Sequence, residues 1–247
     1  MRILTLNLLR NSNFDLNKLR FLCSTEKVIQ PKGDIQKISG DLRMIEFLPS
    51  WKADEDTDLR KQVVRDMRVI PDFINETEEI SLLSEVEPQL KRMRYEFDHW
   101  DNAIEGYRET ERQAWNEQNS VTLARVRSVA FENGAELLPH THVLDLAPAG
   151  YIKPHVDAVR FCGDTIAGLC LLSGAVMRLM HENSPDYVLD VLLPRRSLYI
   201  MSGVARYQFN HAVLSNEKSV WRGGKLIKKR RVAIITREQP KKPADII

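Results

Sequence analysis

The sequence has no Cys-x-x-Cys pair, no internal repeat, no low-complexity segment and no apolar run long enough to cross a bilayer. Its three cysteines, Cys23, Cys162 and Cys170, are an odd number scattered along 247 residues, which argues against a disulfide framework. Zinc-site spacing is missing as well, so the thiols are read as buried and reduced, as in a reducing compartment. The longest uncharged apolar-rich stretch, residues 165–177, falls short of the ~20 residues a transmembrane helix needs. Charge of one sign is also missing: 36 basic against 34 acidic residues leave +2, too little to mark a polyanion-seeking protein. What is present, 43% hydrophobic and 28% charged residues, is the balance of a globular chain able to bury a sizeable core. At about 150 residues per domain, the length allows one domain with extensions or two small ones.

Residues 1–25 carry Arg2, Arg10, Lys18 and Arg20 against a single acid, Asp15, with leucines interleaved. An amphipathic, acid-poor start of this kind fits a mitochondrial transit peptide; a short amphipathic helix or an irregular start is the other reading. Residues 26–68, with the acidic run Asp54-Glu55-Asp56, read as a polar linker or irregular extension. Asn75 followed by Glu78 forms a capping-box pattern, and Ile80, Leu83, Val86, Leu90 and Met93 recur at helical spacing. Pro88 is expected to bend that helix near its middle. A second helix is expected over 112–131, with Trp115, Leu123, Val126 and Ala130 on its apolar positions and Asn133-Gly134 as its stop.

After Gly134 the pattern changes to short runs between turn residues: 142–146, 151–157, 165–172, 175–181, 187–193, 197–201 and 230–237. Helices followed by many short strands make the class α+β, with a sandwich, jelly roll or barrel behind N-terminal packing helices. The expected division is a helical part over 69–134 and a strand-rich core over 135–240, together one domain, with a tail at 241–247.

Within the run Tyr-Ile-Lys-Pro-His-Val-Asp, His155 and Asp157 stand two apart, so on an extended backbone both project from one face. His211 follows near the end of another strand-like segment. Two histidines and a carboxylate are the facial triad of non-haem Fe(II) oxygenases, although zinc or another divalent ion can use the same ligands. In the last strand Arg231, Ala233, Ile235 and Arg237 share a face by even spacing. Guanidinium groups on an apolar strand are costly to bury unless they meet anions, and 2-oxoglutarate carries two carboxylates. Alternatively, both arginines pair with internal acids or reach solvent at the strand ends. His140 and His142 share a face without an evident carboxylate partner, and His99 and His181 stand alone. The run Lys228-Lys229-Arg230 reads either as a track for an RNA backbone or as a solvated hairpin loop.

The order His155-x-Asp157, His211, Arg231 and Arg237, with GYIKPHVD, TIAG, SLYI and ARYQFNH around it, resembles the AlkB family of Fe(II)- and 2-oxoglutarate-dependent dioxygenases. The resemblance spans residues 69–237 and is strongest to a mitochondrial member. It implies a double-stranded β-helix, with His155, Asp157 and His211 as iron ligands. Arg231 would hold the distal carboxylate of 2-oxoglutarate, Arg237 would lie near its metal-bound end, and Tyr199 would offer a phenolic hydroxyl. The other reading of Tyr199 is a core tyrosine with a satisfied hydroxyl. The implied reaction consumes dioxygen and 2-oxoglutarate, releases succinate and hydroxylates a C–H bond.

One departure bears on substrate. Nucleic-acid-demethylating members of the family place Asn and Tyr where this chain has Leu144 and Leu146. They also carry a strand-rich lid upstream, where this chain offers the helical 112–131 stretch. Without an aromatic clamp for a flipped base, duplex DNA is disfavoured and a protein substrate is expected. The resemblance further implies the mitochondrial matrix and a role in fatty-acid metabolism or programmed necrosis. The alternatives are an oxidative demethylase of mitochondrial RNA, or a binding module that keeps the metal without turnover.

Overall fold

The computed structural model describes residues 39–99 and 102–240; the basic leucine-rich start, the tail and Cys23 lie outside them. A 3-10 turn at Leu42–Met44 leads into β1 (Ile45–Phe47), α1 (Thr57–Asp66), β2 (Met67–Ile70), α2 (Glu76–Leu90), β3 (Ile104–Arg112) and α3 (Glu117–Ala130). Then come β4 (Thr141–His155), β5 (Ile166–Leu171), β6 (Ala175–His181), β7 (Val188–Leu193) and β8 (Leu198–Met201). The short α4 (Gly203–Tyr207) precedes β9 (Phe209–Val213), the small hairpin β10 (Val220–Trp221) and β11 (Gly224–Lys225), and β12 (Arg231–Arg237). No helix among the described residues is long and apolar enough to cross a membrane.

The main sheet runs β1-β7-β6-β9-β4-β12-β5-β8-β2, antiparallel throughout, with β3 added to β4. This is the α+β class with a double-stranded β-helix core. Strand β4 joins its halves. Residues His142 to Leu146 of β4 pair with β12, whereas Ile152 and His155 pair with β9. The change of partner needs a break in the strand. Opposite β3 the register jumps from Tyr107↔Leu146 to Glu105↔Tyr151, and Pro148, which has no N–H to donate, sits in the bulge. Gly150 is required there, because a Cβ would meet the Gly106 carbonyl oxygen at 2.3 Å. The Lys228 ammonium, buried in the same place, donates to the carbonyls of Ala147 at 3.1 Å and Pro148 at 3.0 Å that the bulge turns away from the sheet.

Period-two alternation then sorts the side chains. Val143, Ala167, Leu169, Leu171, Leu198, Ile200, Val232 and Ile234 face outward to Leu82, Val86 and Leu90 of α2 and Leu123, Val126 and Ala130 of α3. The residues between them, Leu144, Leu146, Ile166, Cys170, Tyr199, Met201, Ala233 and Ile235, face inward. Arg231 and Arg237 are in phase with Ala233 and Ile235, so β12 delivers both guanidinium groups to the inner face.

Several sequence expectations change. Part of the expected irregular extension is ordered: β1, α1 and the first half of β2 precede residue 69, and β1 and β2 are the two ends of the main sheet. Asp56 caps α1 by accepting from the Leu59 N–H. The capping box at Asn75 and Glu78 is formed as expected. Pro88, however, lies in the last turn of α2 and does not bend its middle. Ile80 is 58% exposed, and the buried stripe of α2 is Glu79, Leu82, Val86 and Leu90. Glu79 is buried because Arg195 and the Leu172 N–H both donate to its carboxylate. Helix α3 starts at Glu117, and the segment before it is strand β3, which sequence periodicity did not indicate.

Asp145, on the outward face of β4, anchors β3 and β12 together. Its fully buried carboxylate accepts from Arg108 at 2.7 Å and from two nitrogens of Arg230 at 2.8 and 3.0 Å. Arg230 reaches Glu87 of α2 with its remaining edge. Asp145→Ala leaves two guanidinium groups without their shared anion, and we expect it to destabilise the fold by about 3–5 kcal/mol, measured as a lower urea midpoint at unchanged slope.

Candidate metal centre and cosubstrate pocket

A cavity of about 840 Å³ opens on the inner face of the sheet, and all six sequence-selected residues, His155, Asp157, Tyr199, His211, Arg231 and Arg237, line it. His155 closes β4 and is paired directly with His211 on β9. Their rings stand 4.3 Å apart. Asp157, two residues beyond β4, brings Oδ1 to 3.2 Å from His155 Nε2 and 3.7 Å from His211 Nε2. Ligand atoms of the three side chains all lie within 4.8 Å of one another.

The donor set fits a divalent cation. His155 Nδ1 lies 2.9 Å from the Lys153 carbonyl oxygen, which can only accept, so the proton belongs on Nδ1. Nε2 is then the nitrogen turned toward the Asp157 carboxylate and His211, and is the atom that would offer its lone pair to a metal held by the three side chains. Burial, with the neighbouring His155 ring adding to it, holds His211 down at about 3, so its imidazole stays neutral at physiological pH, as a ligand must. For Asp157 burial acts upward, but the contact with His155 and the charge of Arg237 hold its carboxyl well below the usual range.

Arg231 is 2% exposed. Neither sequence alternative holds for it: no acid pairs with it among the described residues and it does not reach solvent. Its Nη2 donates to the Cys170 thiol sulfur at 3.2 Å, and its Nε has no hydrogen-bond partner. Its neighbour across the ladder is Leu146. A buried cation held among a thiol and an aliphatic side chain lacks an anion, and a carboxylate entering the cavity that Arg231 lines would supply one. Arg237 differs: its Nε donates to Asp157 Oδ2 at 3.2 Å, so the internal-acid reading holds in part. Tyr199 on β8 lies against Gly168, where a Cβ would meet the phenol ring at 2.3 Å. Burial pushes its phenol up to about 12, so it remains a protonated donor facing the pocket.

Sequence reasoning missed the outer wall. Strand β3 lines the cavity with Ile104, Glu109 and Glu111, and His99, His140 and His142 join it. The histidine pair does have carboxylate partners: His140 Nε2 lies 3.1 Å from Glu111 Oε1 and His142 Nε2 lies 2.7 Å from Glu109 Oε2. His99, read as solitary, lies 3.5 Å from Glu109 Oε1. Each of these acids belongs to the unrecognised strand. The helical 112–131 stretch does not take the place of a lid; α3 packs against α2 behind the sheet, and β3 forms the rim. The basic run before β12 is not a solvated loop either, because Lys228 is buried and Arg230 is held by Asp145 and Glu87. Cys162 and Cys170 are free and buried, as expected of reduced thiols.

No protein-family model matches the chain. Among curated proteins it is 47% identical over 191 residues to mitochondrial alpha-ketoglutarate-dependent dioxygenase alkB homolog 7 of Mus musculus, covering 77% of this chain and 86% of the relative. The protein of the same name from Bos taurus is 51% identical over 172 residues, covering 70% and 78%. Among solved structures, a Pseudomonas putida prolyl-4-hydroxylase matches with a TM-score of 0.54 at 12% identity, over 74% of this chain and 97% of that one. The structural likeness concerns the fold alone.

Proposed function

The chain belongs to the AlkB family of alpha-ketoglutarate-dependent dioxygenases, and on that premise we propose that it is a mitochondrial matrix enzyme that hydroxylates a protein substrate, with His155, Asp157 and His211 as ligands of Fe(II). The observation that carries the reading is the buried, acid-free guanidinium of Arg231 in the same cavity that the histidine–carboxylate cluster lines. Bound iron, with 2-oxoglutarate and dioxygen, supplies the oxidising power of this family, in which decarboxylation to succinate accompanies oxygen insertion into a C–H bond.

The protein's own groups do the rest. Arg231 neutralises the distal carboxylate and fixes the length of the bound diacid by bidentate, charge-assisted hydrogen bonds. Tyr199, which keeps its proton, would donate a hydrogen bond from its phenol to the cosubstrate. Arg237 balances the charge near the metal while holding Asp157 Oδ2, which leaves Oδ1 directed at the histidines. Leu144, Met177, Val213 and Ile235 keep the inner chamber apolar, so charge interactions inside it are weakly screened.

Two features favour a protein over a nucleic acid as substrate. Among the described residues, Phe161 and Tyr199 are the aromatic side chains other than histidine that line the cavity, and Tyr199 is buried, so these two do not form a pair of rings for a flipped base to stack between. The basic run that an RNA backbone would follow is occupied internally at Lys228 and Arg230. The relatives are named mitochondrial, which supports the location. A role in fatty-acid metabolism or programmed necrosis rests on the family resemblance alone. Iron-loaded protein, 2-oxoglutarate and isotopically heavy dioxygen, incubated with mitochondrial protein extract, should yield hydroxylated peptides carrying the heavy oxygen. Loss of the methyl group from methylated RNA offered in parallel, released as formaldehyde, with no labelled peptide formed, would replace this reading with the demethylase.

A further inference from the structure

His142 sits on β4 in phase with Leu144 and Leu146, and its ring bridges two charged groups. Nε2 lies 2.7 Å from Glu109 Oε2 on β3, and Nδ1 lies 3.1 Å from Arg237 Nη1 on β12. A guanidinium N–H can only donate, so Nδ1 is the acceptor and the ring proton is on Nε2, given to Glu109. The other edge of Arg237 donates from Nε to Asp157 Oδ2 at 3.2 Å. Glu109, His142, Arg237 and Asp157 therefore form one unbroken line of hydrogen bonds from the rim strand to the carboxylate of the metal cluster. The remaining inward side chains of this part of β4, Leu144 and Leu146, offer Arg237 no polar contact.

We propose that Glu109 and His142 are positioning residues for cosubstrate binding: they orient the Arg237 guanidinium so that one edge holds Asp157 and the free part of Nη1 and Nη2 is aimed at the 2-oxo acid. A long arginine side chain loses appreciable rotamer freedom when fixed. With His142 gripping one nitrogen before the cosubstrate arrives, that cost is met during folding and not during binding. Glu109 enforces the tautomer, since only a ring with its proton on Nε2 can satisfy the carboxylate and still accept from Arg237. Neither residue belongs to the His155, Asp157 and His211 cluster, so the pair acts through Arg237. The inference rests on the reading, given above, that Arg237 lies beside the bound 2-oxoglutarate.

The test uses the full chain loaded with Zn(II), which holds the ligand set without turnover, and measures 2-oxoglutarate binding by calorimetry beside thermal melting. His142→Leu removes the acceptor and should weaken binding about tenfold, the scale of one hydrogen bond to a charged group. His142→Asn, whose Oδ1 takes the place of Nδ1, should bind within about twofold of the wild type. Glu109→Ala should fall between them. In the iron enzyme His142→Leu should raise KM for 2-oxoglutarate while leaving kcat at saturation little changed. Wild-type affinity in His142→Leu overturns the proposal, as does equal weakening in the leucine and asparagine variants, the mark of a strand staple only. Arg237→Gln separates the two levels. If it binds 2-oxoglutarate normally, the role given to Arg237 itself is wrong; if it binds weakly while His142→Leu binds normally, only the positioning role fails.

Discussion

Replacing Arg231 with leucine is expected to weaken 2-oxoglutarate binding at least a hundredfold and to leave the fold as stable as before, or more so. Two charge-assisted hydrogen bonds to one carboxylate are worth about 3–6 kcal/mol, and that interaction is lost whole, since the flanking side chains, Leu146 and Cys170, cannot replace it. The stability half of the prediction has the opposite sign because the guanidinium is buried without an anion when the pocket is empty. Removing an unpartnered buried cation relieves a desolvation cost. Titration of the metal-loaded variant with 2-oxoglutarate and a thermal melt of the metal-free one check the two halves separately. A variant that melts far below the wild type would show that Arg231 supports the core and that its apparent isolation is misleading.

The second large effect is at Asp157. Asp157→Ala takes away the one carboxylate of the cluster and strips Arg237 of its carboxylate partner, leaving it the contact with His142. Groups that merely orient a metal ligand cost about 10–100-fold in affinity when removed, so loss of a ligand is expected to cost more than 100-fold. His155 and His211 remain close, at 4.3 Å between ring centres, but two neutral imidazoles carry no charge to offset the cation. Equilibrium dialysis against Co(II), whose visible spectrum reports its coordination, should show saturable binding by wild type and none by the variant in the same concentration range. Undiminished binding with an unaltered spectrum would place the metal elsewhere.

The inner half of the site was legible in the sequence because its elements obey simple periods. The two-residue spacing in His-x-Asp and the even spacing of Arg231, Ala233, Ile235 and Arg237 translate directly into shared faces of strands. The outer half was not legible. Strand β3, Ile-Glu-Gly-Tyr-Arg-Glu-Thr-Glu-Arg, has too much charge to resemble a strand, and its charges make sense only through partners distant in sequence: Arg108 with Asp145, Glu109 with His142, Arg112 with Glu85. Local propensity carries no trace of such pairing. The same cause hid the true environment of Lys228 and Arg230, which read as solvated until the bulge at Pro148 and the buried Asp145 supply what they bind. The 45–66 region was misread for another reason: α1 is a polar helix with only Val63 and Asp66 buried, and β1 has three residues, so neither generates a hydrophobic period to detect.

The most direct test of the whole account is succinate formation by anaerobically iron-loaded protein given 2-oxoglutarate and then oxygen, with His211→Ala and Arg231→Leu alongside. The account predicts oxygen-dependent succinate from the wild type and none above background from either variant. Succinate formed equally by all three, or 2-oxoglutarate bound equally well by wild type and Arg231→Leu, would contradict it.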